Sequence, residues 1–78
     1  MREKTMKLVV TFHTTTAAMA METACMKAGL PGRLIPVPRA ITAGCGMAWV
    51  APVEAQQQLE EFTKEKGIAT AGFYQLML

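Results

Sequence analysis

Lys7-Leu8-Val9-Val10-Thr11-Phe12-His13 runs straight into Thr14-Thr15-Thr16, and the chain from there to Ala28 is rich in Ala and Met, with Glu22 among them. The first run is β-branched and aromatic, which suits a pleated, half-buried strand. The threonines supply hydroxyls that can accept a hydrogen bond from an orphan N–H at a helix start. Ala, Met and Glu are strong helix formers, so a helix is expected from about Thr15 to Ala28. Ala18, Met21, Cys25 and Ala28 recur at helical steps and line one face. Gly29 is placed to stop the helix, and Pro31 beyond it prevents continuation. The chain therefore opens as β-α.

Working outward, Arg33-Leu34-Ile35-Pro36-Val37-Pro38 reads as a second strand. Pro36 cannot donate to a sheet ladder, which assigns this strand to an edge. After a glycine-containing loop, Gly46-Met47-Ala48-Trp49-Val50-Ala51 reads as a more buried third strand. Pro52 introduces a helix over Val53 to Lys66, with Ala55, Leu59 and Phe62 inward and Gln56, Glu60 and Lys64 outward. Glu60 and Lys64 stand in the favourable i,i+4 order, worth about 0.3 kcal/mol at a solvated surface. Gly67 ends that helix, and Ala71 to Met77 supplies the last strand. The order β-α-β-β-α-β, with right-handed crossovers, predicts an α+β, ferredoxin-like fold: a four-stranded antiparallel sheet with both helices on one face. Residues 6–78 form a single ferredoxin-like domain in this reading, after a short N-terminal extension at 1–5.

Composition narrows the function classes. A chain of 78 residues, 51% hydrophobic, supports one modest core, and leaves little room for a deep enclosed active site. A net charge of +2, with its basic residues scattered, argues against nucleic acid or an anionic membrane as a partner. The apolar run from Met6 to Phe12 contains Lys7 and is too short for a signal core. A cytoplasmic location with reduced thiols is the expectation. No C-x-x-C and no His/Cys cluster occurs, so neither a metal nor another cofactor is expected.

Chemistry, if any, centres on Cys45. In the predicted fold the loop between the second and third strands lies at the sheet end where the first strand finishes. His13, Thr14 and Thr15 at the start of the first helix should therefore come near that loop. A helix N-terminus favours an anion, and a thiolate is one. Arg39 in the same loop adds a cation that could raise the ionised fraction of the thiol. Cys45 sits between Gly44 and Gly46, which permit turn conformations and leave the sulfur accessible. Cys25 shares the helix face with Met21 and behaves as a small hydrophobe. The plainer alternatives stay open: Cys45 as a small residue in a tight turn, Arg39 as a solvated charge, His13 as a strand-end residue, and the threonines as caps. The methionines at helical positions, Met19, Met21 and Met26, read as packing residues and not as metal ligands.

From about Met6 to Leu78 the chain also resembles the small bacterial family of selenium/sulfur (Se/S) carrier protein-like domains, formerly of unknown function. The matching features are Val9-Val10-Thr11-Phe12 leading into Thr15-Thr16, the Ala28-Gly29 helix end, and Pro36-Val37-Pro38-Arg39 followed by Cys45-Gly46 and Ala48. That resemblance implies a carrier and not a stand-alone enzyme. Cys45 would hold sulfur or selenium as a persulfide or perselenide, with donor and acceptor enzymes as partners and Arg39 steadying the anionic chalcogen. The rival reading is a non-catalytic interaction or regulatory module acting through its sheet surface. Val9, Thr11, His13, Ala48 and Val50 would form a semi-apolar face suited to a homodimer. A metal chaperone on this fold would want paired cysteines near the first helix. An acylphosphatase would want a glycine-rich, Arg-bearing loop where this chain has His13-Thr14-Thr15-Thr16.

Overall fold

The computed structural model describes residues 5–39, 41 and 45–78. Its elements are β1 (Met6–Thr11), α1 (Thr15–Ala28), β2 (Arg33–Pro36), β3 (Met47–Pro52), a 3-10 turn (Val53–Ala55), α2 (Gln56–Lys66) and β4 (Gly72–Met77). The strands form one sheet in the order β2-β3-β1-β4, with every neighbouring pair antiparallel. This is the α+β, ferredoxin-like arrangement that the element order predicts. β2 lies at an edge, as Pro36 requires.

Both helices close by the same local device. Thr14 caps α1, its hydroxyl accepting from the Ala17 N–H at 3.1 Å. At the other end Leu30 N–H donates to the Cys25 carbonyl at 2.9 Å, after Gly29 turns the chain into the left-handed region. Ile68 N–H donates to the Thr63 carbonyl at 2.9 Å in the same way after Gly67. Leu30 and Ile68, the residues just beyond these turns, both pack against the main core. Each helix end thus delivers an apolar residue inward while satisfying its last carbonyls.

The main core lies between the sheet and the helices. Leu8, Val10 and Phe12 from the β1 segment meet Ala18, Met21 and Cys25 of α1, Trp49 and Ala51 of β3, and Leu59 of α2. Burying each large apolar side chain contributes about 1.5–3 kcal/mol, so this layer is the principal stabilising element. Trp49, 1% exposed, is its largest member, and its indole N–H donates to the Pro31 carbonyl at 3.3 Å.

Several local expectations change. Ala28 is exposed, whereas Ala18, Met21 and Cys25 are buried as the helical spacing predicts. The second helical segment opens as a 3-10 turn before becoming α-helical at Gln56. Thr63 is buried on that helix, its hydroxyl donating to the Glu60 carbonyl at 3.0 Å. Glu60 does not turn toward Lys64. Its carboxylate accepts from Gln56 Nε2 at 2.8 Å, one turn the other way.

The larger correction concerns the sheet face away from the helices. Val9, Thr11, Ala48 and Val50 do face that way, but Val9 and Ala48 are 0% exposed and Thr11 is 1% exposed. Ile41, from the loop between β2 and β3, packs onto Val9 and Ala48, with Ile35, Val37, Val50, Leu76 and Leu78 around them. The centre of this face is a second small core and not an open docking surface. His13 stands beyond the strand and is exposed.

Candidate functional site

The β2–β3 loop is closed at its base by the Val37 N–H, which donates to the Gly46 carbonyl at 3.0 Å. A tight turn follows on the outgoing side, where Ile41 N–H donates to the Pro38 carbonyl at 3.0 Å. Arg39 lies within that turn and is exposed. On the returning side, Gly46 has φ 77, a left-handed conformation that a side chain at this position would resist. That turn carries the chain from Cys45 into β3. Gly44 lies outside the described residues.

The two legs of the loop are anchored on opposite sides of the sheet. Ile41 belongs to the small core on the far face, whereas Cys45 packs, half-buried, against the sheet–helix core. The Cys45 sulfur is 3.4 Å from both backbone polar groups of Met47, the N–H donating to it and the carbonyl placed to accept from it. These contacts fix the thiol at the start of β3. An anionic sulfur would keep the N–H contact and surrender the one to the carbonyl.

The register pairs Thr11 with Ala48. The β1–α1 junction and Cys45-Gly46 therefore lie at the same end of the sheet. His13, Thr14 and Thr15 are exposed there, and α1 has no acidic residue in its first turn. The helix terminus thus keeps its partial positive charge uncompensated by its own side chains. Thr14 Oγ is already engaged as the cap. Both hydrogen-bond contacts of the Cys45 sulfur come from Met47, while Arg39 occupies the turn on the other leg of the loop.

The two cysteines are both free thiols in different surroundings. Cys25 is 0% exposed within the main core, and its burial pushes the thiol pKa up from the usual value. Cys45 is partly open to solvent. Sequence reasoning did not single out two participants: the Met47 backbone, which holds the sulfur, and Ile41, which holds the loop. The second left a signal, an isoleucine among loop residues with no polar reason to be there. The first left none, since any residue could supply those backbone groups.

Among the described residues no group of three or more His, Cys, Asp and Glu could hold a metal ion. No helix among them is long and apolar enough to cross a membrane. Neither the curated proteins nor the solved structures include a significant match to this chain. A family model does match, over residues 7–75, a span that includes β1 from Lys7 onward and the whole Pro36–Gly46 segment. The chain therefore belongs to the family described as "Putative Se/S carrier protein-like".

Proposed function

We propose that this protein carries a sulfur or selenium atom on Cys45 and relays it to a partner enzyme. The observation that carries the reading is the contrast between the thiols: within the family-matched span Cys45 is partly solvent-accessible on a loop, and Cys25 is sealed in the core. A carrier must meet two macromolecules in turn, so its thiol has to sit at an edge of the fold. It needs no general acid of its own, because each partner can supply one.

The transfer is balanced without an external oxidant. The Cys45 thiolate attacks the terminal sulfur of a donor enzyme's persulfide. A new S–S bond forms at Cys45 as the donor's S–S bond breaks, and the donor cysteine leaves as a thiolate. The perselenide case is the same with selenium as the transferred atom. The exposed Arg39, His13 and Thr15, with the α1 terminus, would serve as docking and charge-steadying groups around the loaded sulfur.

Incubation with a cysteine desulfurase and cysteine, or with a selenocysteine lyase and selenocysteine, tests this by intact mass. One added sulfur or selenium is expected on the native chain and on Cys25→Ser, and none on Cys45→Ser. Equal loading of the two variants would remove the assignment.

A further inference from the structure

β4 forms one margin of the sheet, and its outer edge has a definite hydrogen-bonding pattern. Thr5 and Leu78 exchange both backbone bonds, at 3.1 and 3.0 Å, so they form a hydrogen-bonded antiparallel pair. Such pairs alternate along an antiparallel ladder. In this register the next ones are Lys7 with Leu76, Val9 with Tyr74 and Thr11 with Gly72. Phe73, Gln75 and Met77 consequently direct their N–H and C=O groups away from β1, and among the described residues no strand lies beyond them.

Among the described residues the usual protections of an exposed edge are missing here. Gly72-Phe73-Tyr74-Gln75-Leu76-Met77 contains no charge and no proline. Tyr74 is 42% exposed and Met77 is 53% exposed, one on each face of the sheet. Phe62, Ile68 and Phe73 are half-buried alongside on the helix side. The opposite edge differs: β2 is only four residues long and carries Arg33 and Pro36.

We propose that β4 pairs antiparallel with β4 of a second copy, with Gln75 on the two-fold axis. That register alone engages every outward group. Gln75 exchanges bonds with the partner's Gln75, and Phe73 and Met77 exchange with the partner's Met77 and Phe73. Shifting the axis to Tyr74 or Leu76 leaves some of these groups unpaired. The same register sets Tyr74 opposite the partner's Leu76 on one face and Phe73 opposite the partner's Met77 on the other. Aromatic–aliphatic and sulfur–aromatic cross-strand pairs of this kind favour association. No like charges oppose one another along the strand. The contact is isologous and consumes the unprotected edge, while β2 remains guarded, so assembly closes at two copies.

The result is a continuous eight-stranded sheet with the Cys45 loops at opposite ends. The two β3 strands stand five inter-strand steps apart, roughly 24 Å. Pairing therefore leaves both thiols accessible and does not let them react with each other within a dimer. The interface is independent of any carrier role for Cys45.

Light scattering over a dilution series, combined with amide hydrogen exchange, tests the proposal. The expected mass is twice the 8.5 kDa chain, unchanged by reductant, with protection at Phe73, Gln75 and Met77 that is lost on dilution. Tyr74 and Leu76 should stay protected throughout, since their amides bond to β1. Gln75→Pro removes an outward N–H without touching the β1 ladder and should give a folded monomer by circular dichroism and mass. Gln75→Lys, which sets like charges together on the axis, should do the same if the proline variant fails to fold. A monomer at every concentration, a dimer abolished by reductant, a dimer that persists in Gln75→Lys, or protection confined to other amides would each overturn the proposal.

Discussion

Thiol labelling offers the sharpest measure of the contrast between Cys25 and Cys45. Cys25 is 0% exposed, packed with Met21 and Ala18 against the sheet, and can meet a reagent only when the core opens. A single core in a domain of this size supplies about 3–5 kcal/mol against opening, and each 1.4 kcal/mol is a factor of ten. Native-state alkylation of Cys25 should therefore be about 10²–10⁴ slower than that of an unprotected thiol. Burial also raises its pKa, which lowers the thiolate fraction in the same direction. Cys45 is partly exposed and needs no core opening. The assay is a timed pulse of iodoacetamide at neutral pH on Cys25→Ser and Cys45→Ser, read by intact mass and repeated in strong denaturant. Native rates should differ by at least about 10²-fold and converge to within a few-fold once the chain unfolds. Rates within a few-fold of each other in the native state would refute the burial argument and, with it, the basis for choosing between the two thiols.

Two further outcomes follow from the packing. An added Cβ at Gly32, where φ is +126, would lie 2.6 Å from both Trp49 Cε2 and the Val50 carbonyl oxygen. Gly32→Ala should therefore destabilise the fold by about 3 kcal/mol or more, from backbone strain plus displacement of the indole, measurable as a lower denaturation midpoint in urea. The pH dependence of stability should carry the signature of Cys25. Because its folded pKa is raised, the contribution is fully present below the unfolded value near 9.0 and is lost as pH rises through the folded one. The loss approaches about 1.4 kcal/mol per pH unit at most; it should be absent from Cys25→Ala and so appear as the difference between the native chain and that variant in alkaline urea titrations.

The parts legible in the sequence are those set by local chemistry. Thr14 and Gly29 bound α1 because capping depends on residues within a turn of the helix end. Pro36 located β2 at an edge because a missing N–H is intolerable inside a sheet. What escaped was decided by contacts between distant segments. The alternation Val9, Thr11 and Ala48, Val50 correctly gives the face, but alternation cannot say what covers it. Ile41 does so from a loop whose conformation no period describes. Glu60 likewise had Lys64 and Gln56 at equal helical distance, and the choice of Gln56 goes with a further bond from Gln75 of β4 to Gln56. Cys45 was legible as the accessible thiol from its glycine neighbours, while its tie to Met47 depends on the turn at Gly46.

The covered face also bears on how a loop of this size can hold its thiol in place. A loop at a sheet end has few hydrogen bonds of its own, and here the Val37–Gly46 bond closes only its base. Ile41 on one side of the sheet and Cys45 on the other give it a hydrophobic anchor in each core. The sulfur is thereby held by packing and by Met47. The apolar residue in the loop and the cysteine beyond it are thus each tied to a core. Ile41 holds the outgoing leg on the far face, and Cys45 holds the returning leg against the sheet–helix core while staying partly open to solvent.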